Sequence, residues 1–89
     1  MKLRVLVRLK PGILDVQGVA VQRALVGLGF SDVVDLRIGK VVDLEVDAET
    51  EEAARLRADE MCRKLLINPI LEDYTIEIAS DLAASRSER

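Results

Sequence analysis

The chain carries one thiol, Cys62, and no imidazole, because histidine is absent from all 89 residues. That absence removes the Ser-His-Asp and Cys-His nucleophilic arrangements and most zinc sites together. A glutaminase of the Cys-His type therefore cannot reside in this chain alone. Cys62 stands among apolar residues at helical spacing and reads as a buried small hydrophobe; being alone, it forms no internal disulfide. Gly39-Lys40 invites a phosphate-loop reading, but Val41 follows where Ser or Thr is needed and Val34 stands where the first glycine belongs. Carboxylates are plentiful, yet their spacing puts them on solvated faces. Glu72-Asp73, just before a strand, reads as a solvated acidic loop rather than a buried acid pair.

The elements that must position these groups follow from periodicity. Leu3, Val5, Val7 and Leu9 alternate with Lys2, Arg4, Arg8 and Lys10, the pattern of a half-buried strand. Leu6 interrupts the polar face and reads either as a tolerated surface leucine or as a contact. After Pro11-Gly12, the positions Val21, Ala24, Leu25 and Leu28 recur at helical spacing, with Asp15 placed to cap the start and Gly29 to close the end. Two strand-like runs, 34–38 and 42–46, frame Gly39-Lys40 as a type II′ hairpin turn or a longer bulged loop.

A second helix is expected from about Ala48 to Leu66, burying Ala54, Ala58, Met61, Cys62 and Leu65. Its outer face pairs Glu51 with Arg55, Asp59 with Arg63, and Glu60 with Lys64, worth only about 0.2–0.5 kcal/mol each. Asn68-Pro69 ends it, and Tyr74, Ile76 and Ile78 alternate as a last strand. The expected architecture is α+β: a two-layer sandwich, βαββαβ and ferredoxin-like, with a four-stranded antiparallel sheet and two helices on one face. Residues 1–79 form a single domain in this reading, and 80–89 a frayed polar tail.

Composition narrows the function further. Hydrophobic residues make up 49% of the chain but aromatic ones only 2%, so the core is aliphatic and thin, with apolar surface left over for another chain. Thirteen basic against sixteen acidic residues, with both signs scattered, provide no basic stripe for nucleic acid. No apolar run is long enough for a bilayer, and Met1 leads into a charged strand rather than a signal peptide, so a cytoplasmic protein is expected. From the residues alone this is a small α+β binding or assembly module.

Three stretches resemble the PurS family: residues 9–18, reading LKPGILDVQG; residues 33–40, ending RIGK; and MCRKLLINP at 61–69, continuing to Glu72-Asp73-Tyr74. Ala20-Val21, Ala24-Leu25 and Leu28-Gly29-Phe30 join the first two in the family's spacing, so the resemblance covers nearly the whole chain. Val16 stands where the family usually has proline, which should loosen the helix entry slightly.

The resemblance implies a non-catalytic small subunit of phosphoribosylformylglycinamidine synthase, in purine biosynthesis. It implies a bridge between the ATP-dependent ligase subunit PurL and the glutaminase subunit PurQ, with the chain itself forming dimers or tetramers. No cofactor is expected on this chain, whereas the complex uses ATP with magnesium. Asp15, Gln17, Gly18, Arg37, Gly39, Lys40, Asn68 and Glu72 are the expected partner contacts. Each has a purely structural alternative: Asp15 as a helix cap, Gly18 and Gly39 as backbone geometry, Asn68 as a helix terminator. The Lys10-Pro11-Gly12-Ile13-Leu14 loop also resembles that of amino-acid-sensing ACT domains, a regulatory alternative that gives no reason for RIGK or for the Asn-Pro segment.

Overall fold

A computed structural model of the chain describes residues 1–78. The expected tail at 80–89 lies outside them. Three strands, β1 (Lys2–Leu9), β2 (Lys40–Glu45) and β3 (Glu72–Ile78), form an antiparallel sheet in the order β2-β1-β3. Val5 of the central strand pairs with Val42 on one side and Ile76 on the other. One face carries Leu3, Val5 and Val7, all essentially inaccessible; these are packed with Ala54, Ala58, Cys62, Ile67 and Ile78. The other face carries the Arg4–Asp43 ion pair at 2.8 Å and the register neighbours Leu6, Val41 and Thr75, with Leu6 only half-buried.

The fourth expected strand is absent among the described residues. Residues 34–38 have no regular secondary structure and pair with no strand, because side chains take up the backbone groups a ladder would use. The Asp15 carboxylate accepts the Ile38 N–H at 2.7 Å, the Asp35 carboxylate accepts that of Leu36, and Gln22 donates to the Val33 carbonyl at 3.1 Å. Gly39-Lys40 is accordingly not a hairpin turn. Lys40 is already in β2, opposite Val7, and Gly39 lacks the positive φ a II′ turn requires. Glycine is needed there for another reason: a Cβ would run into the Val7 carbonyl oxygen.

Helix α1 (Val16–Gly27) begins and ends where its caps predict. Asp15 Oδ1 accepts from Gly18 N at 2.9 Å, and Gly29 takes φ +101°. Its packing is unlike the expectation of two helices side by side on the sheet. Only Gly18 of α1 is buried, Val16 is 68% and Leu28 74% exposed, and the expected stripe through Val21 and Ala24 faces outward.

Among the described residues, helix α2 (Glu51–Met61) with the turn that follows it covers the inner sheet face. It starts three residues later than expected because the Thr50 hydroxyl accepts from Ala53 N at 3.1 Å and sets the N-cap. Asp59–Arg63 and Glu60–Lys64 pair as expected, at 2.9 and 3.2 Å. Arg55 is used differently, donating to the Ile76 carbonyl of β3 at 3.0 Å.

A π-helical turn, Cys62–Leu66, continues α2, with the Ile67 N–H bonded to the Cys62 carbonyl at 3.0 Å. The wider turn shifts the later residues out of the 3.6 period. Leu65, expected in the buried stripe, is 83% exposed, and Ile67 is buried in its place. Cys62 is fully buried as expected, and burial pushes its thiol pKa up.

Candidate functional site

The loop between β1 and α1 and the segment before β2 meet at the Asp15 carboxylate. Its two oxygens take the N–H groups of Gly18 and Ile38, so one side chain caps α1 and pins the returning chain. Gly18 is what lets them close: a Cβ there would strike the carboxylate and come within 2.9 Å of the Leu36 carbonyl oxygen. The Arg37 guanidinium donates to the Leu9 carbonyl at 3.1 Å, tying the same segment to the end of β1.

On the β3 side, Asn68 and Glu72 bind each other twice. The Glu72 carboxylate accepts from Asn68 N at 2.7 Å, and the Asn68 carbonyl accepts from Glu72 N at 2.8 Å. The Asn68 side chain also accepts from Ile70 N at 3.0 Å, which turns the chain past Pro69.

These loops enclose an open cleft of about 330 Å³ at one end of the sheet, lined by residues including Asp15, Gln17, Gly39, Lys40 and Glu72. Five of the eight expected contact residues thus share one cleft. The other three hold its walls: Gly18 lies against Asp15, Arg37 fastens Leu9, and Asn68 fastens Glu72. Sequence reasoning missed the apolar lip, Leu14 and Val16, both largely exposed. An apolar pair beside a helix cap was the signal available for it.

The cleft is built to be held and touched rather than to react. Hydrogen bonds from Ile38 and Gly18, with a smaller contribution from the Arg37 charge, keep the Asp15 carboxyl below the usual aspartate range. Each oxygen already accepts a backbone N–H, and the lowered pKa makes this carboxylate a weaker base than an ordinary aspartate. Elsewhere, Asp59 accepts from the Tyr74 hydroxyl, and that bond pushes the phenol up to about 12, so the ring is neutral at ordinary pH. Among the described residues, no group of three or more His, Cys, Asp or Glu is placed to hold a metal ion. No helix among them is long and apolar enough to cross a membrane.

The Asp15 junction gives a pH dependence of known sign. Its folded-state pKa lies below the ordinary value, so its contribution is complete above about pH 4 and is lost as pH falls through the lower folded value. Amide hydrogen exchange at Gly18 and Ile38 should therefore accelerate in acid before that of the β1–β2 ladder. In Asp15→Asn, whose single carbonyl oxygen has no charge, both amides should exchange faster at neutral pH and lose this acid step. A wild-type step at the ordinary aspartate pKa would contradict the assignment.

Comparison with known proteins places the whole arrangement. Residues 2–80 match the family model described as PurS: phosphoribosylformylglycinamidine (FGAM) synthase. The chain is 40% identical over 77 residues to the phosphoribosylformylglycinamidine synthase subunit PurS of Methanocaldococcus jannaschii, covering 86% of this chain and 93% of that one. To the subunit PurS of Bacillus subtilis it is 42% identical over 82 residues, with 92% and 96% covered. The crystal structure of M. jannaschii PurS superposes with TM-score 0.79 at 41% identity, covering 85% of this chain and 92% of that one. A chain in the structure of PurLQS from Thermotoga maritima superposes equally well, 0.79 at 33% identity, covering 86% and 95%.

Proposed function

The chain belongs to the PurS family, the small subunit of phosphoribosylformylglycinamidine synthase in purine biosynthesis, and we propose that it works there as a non-catalytic bridge between the ligase and the glutaminase. The observation that carries this reading is the pairing of a histidine-free chain with a cleft whose walls are pinned by hydrogen bonds at Asp15, in a fold shared with a chain of a solved PurLQS assembly. The ligase PurL supplies ATP and magnesium chemistry, and the glutaminase PurQ releases ammonia. Ammonia has to pass between their active sites without escaping to water, so fixing their geometry contributes to rate without any reacting group on the bridge. This chain then binds no cofactor of its own, and works in the cytoplasm, where such biosynthetic subunits act. The amino-acid-sensor alternative is set aside, since the matches are to PurS proteins.

The cleft residues Asp15, Gln17, Gly18, Arg37, Gly39, Lys40, Asn68 and Glu72 are the proposed contact region. Among them Lys40 is a solvent-exposed cation, and Arg37 holds the strand entry beside it. Gel filtration of the two larger subunits with this chain should show one three-component peak, absent when the chain is left out. Arg37→Glu with Lys40→Glu should weaken that peak at least tenfold in the concentration needed, with the far-ultraviolet spectrum of the small subunit unchanged. A three-component peak undisturbed by both reversals would remove the cleft from the interface, and co-migration of the larger subunits without the chain would end the bridging reading.

A further inference from the structure

Ion pairs are distributed unevenly over this chain. On α2 and across the middle of the sheet the cations have carboxylate partners: Arg4 with Asp43, Arg63 with Asp59, and Arg57 and Lys64 with Glu60. At the end of the sheet that holds the cleft they do not. Among the described residues, the Arg8, Lys10 and Lys40 side chains have no hydrogen bond and no ion pair, and Arg37 donates only to the Leu9 carbonyl. The carboxylates here are engaged by the backbone instead. Asp15 accepts from Gly18 and Ile38, Asp35 from Leu36, and Glu72 from Asn68. Of the described acids beside the cleft, Asp73 alone is likewise unengaged, and although it stands opposite Arg8 in the register it forms no ion pair with it.

The backbone holds these cations close to one another. Gly39, having no side chain, admits the stem of Arg8, whose Cγ would lie 3.0 Å from a Cβ at that position, and Lys40 is the next residue. Both cations line the cleft. The Lys10 N–H donates to the Leu71 carbonyl at 2.8 Å and joins the two loops that carry this end. Those loops also present Leu14 and Ile70, both largely exposed. A fixed surface that combines apolar tips with unpaired charge has the make-up of a protein interface, and its rigidity lowers the entropic cost of docking. A small phosphate-bearing molecule is the other natural anion, but phosphate sites are built from backbone N–H groups converging on one point. Here the N–H groups of Gly18, Ile38 and Asn68 already serve carboxylates, and Asp15 and Glu72 in the cleft wall repel a compact polyanion. Carboxylate side chains reaching from a protein surface can meet each cation singly, and the Arg8 guanidinium suits a carboxylate in two-point contact.

We infer that this end of the sheet docks an acidic surface of one of the larger subunits, with Arg8, Lys10 and Lys40 each receiving a carboxylate from the partner. The inference rests on the bridging reading and adds to it the chemistry of the contact. Attraction between exposed charges of this kind acts mainly on the rate of encounter, and salt screens it.

The test is zero-length carbodiimide coupling, which joins an amine only to a carboxylate in contact with it, applied to the three-component assembly and read by mass spectrometry. Lys64, already 3.2 Å from Glu60, provides the internal control. Lys10 and Lys40 should couple to aspartate or glutamate residues of a larger subunit. Arg8→Glu with Lys10→Glu should slow association at least about tenfold at low salt. Arg8→Gln with Lys10→Gln should slow it less, and both pairs should flatten its salt dependence, a change that a merely loosened fold would not produce. Coupling of Lys10 and Lys40 only to a second copy, an intact assembly in which neither lysine couples to a larger subunit, or association indifferent to the reversal would each overturn the inference. So would protection of these lysines from acetylation by ATP or inorganic phosphate in the isolated chain, which would assign the cations to a small anion. A three-component peak that persists while the reversal has no effect leaves the bridge standing and removes only its acidic contact; absence of that peak with the native chain removes both.

Discussion

A Leu3→Ala variant should lose about 2–5 kcal/mol of stability, the cost of removing a buried leucine and leaving part of its cavity unfilled. Leu3 is 1% exposed and sits in the cluster that joins β1 to Ala54 and Ala58 of α2 and to Ile78 of β3. The loss is severe because little else is available to offset it. At about 0.05–0.15 kcal/mol per residue, a domain of this length has a total stability of roughly 4–13 kcal/mol, and its core holds no buried aromatic ring. Urea unfolding at fixed protein concentration would show the shift as a fall in midpoint with the slope preserved. Leu6→Ala is the internal control, three positions along the same strand on the opposite face and only half-buried. It should cost about 1 kcal/mol or less by the area it hides. Equal effects of the two substitutions would mean that the sheet is covered on both faces.

The features legible in the sequence are those decided within a few residues. Asp15 before an apolar-periodic run and Gly29 after it fix the ends of α1 by local hydrogen bonding and local torsion, and both appear as read. The burial of Cys62 followed from its neighbours, and the Asp59–Arg63 and Glu60–Lys64 pairs from a spacing of one turn. The run at 34–38 reads as a strand because alternation suggests an extended backbone without saying what bonds to it. Asp15 and Gln22, up to twenty-three residues away, supply the partners that a strand would have. Leu65 is misplaced for a related reason, since i to i−5 bonding changes the period and leaves no mark in composition.

The cleft shows the same division. Its residues were individually visible, but their convergence depends on a glycine that admits a carboxylate and on another that admits a carbonyl. Gly39 reads as a turn residue and Gly18 as backbone geometry at a helix start, and the role of both is to allow close approach. The displacement of α1 was out of reach, because a helix is amphipathic or apolar by its own sequence and is packed or exposed by everything else.

The second large effect is on catalysis by the assembly. If the chain acts only by holding two active sites in register, omitting it should collapse the glutamine-dependent reaction at least tenfold, since ammonia released in solution is diluted and protonated before it reaches the ligase. Chemistry at the ligase needs nothing from this chain, so free ammonium salt at high concentration should restore product formation without it. The decisive measurement is therefore the rate of ATP-dependent product formation by the two larger subunits, with glutamine and separately with ammonium, in the presence and absence of this chain. The expected result is a strong dependence on the chain with glutamine and little with ammonium. Equal dependence with both nitrogen sources would assign the chain a part in the ligase reaction itself and contradict the account.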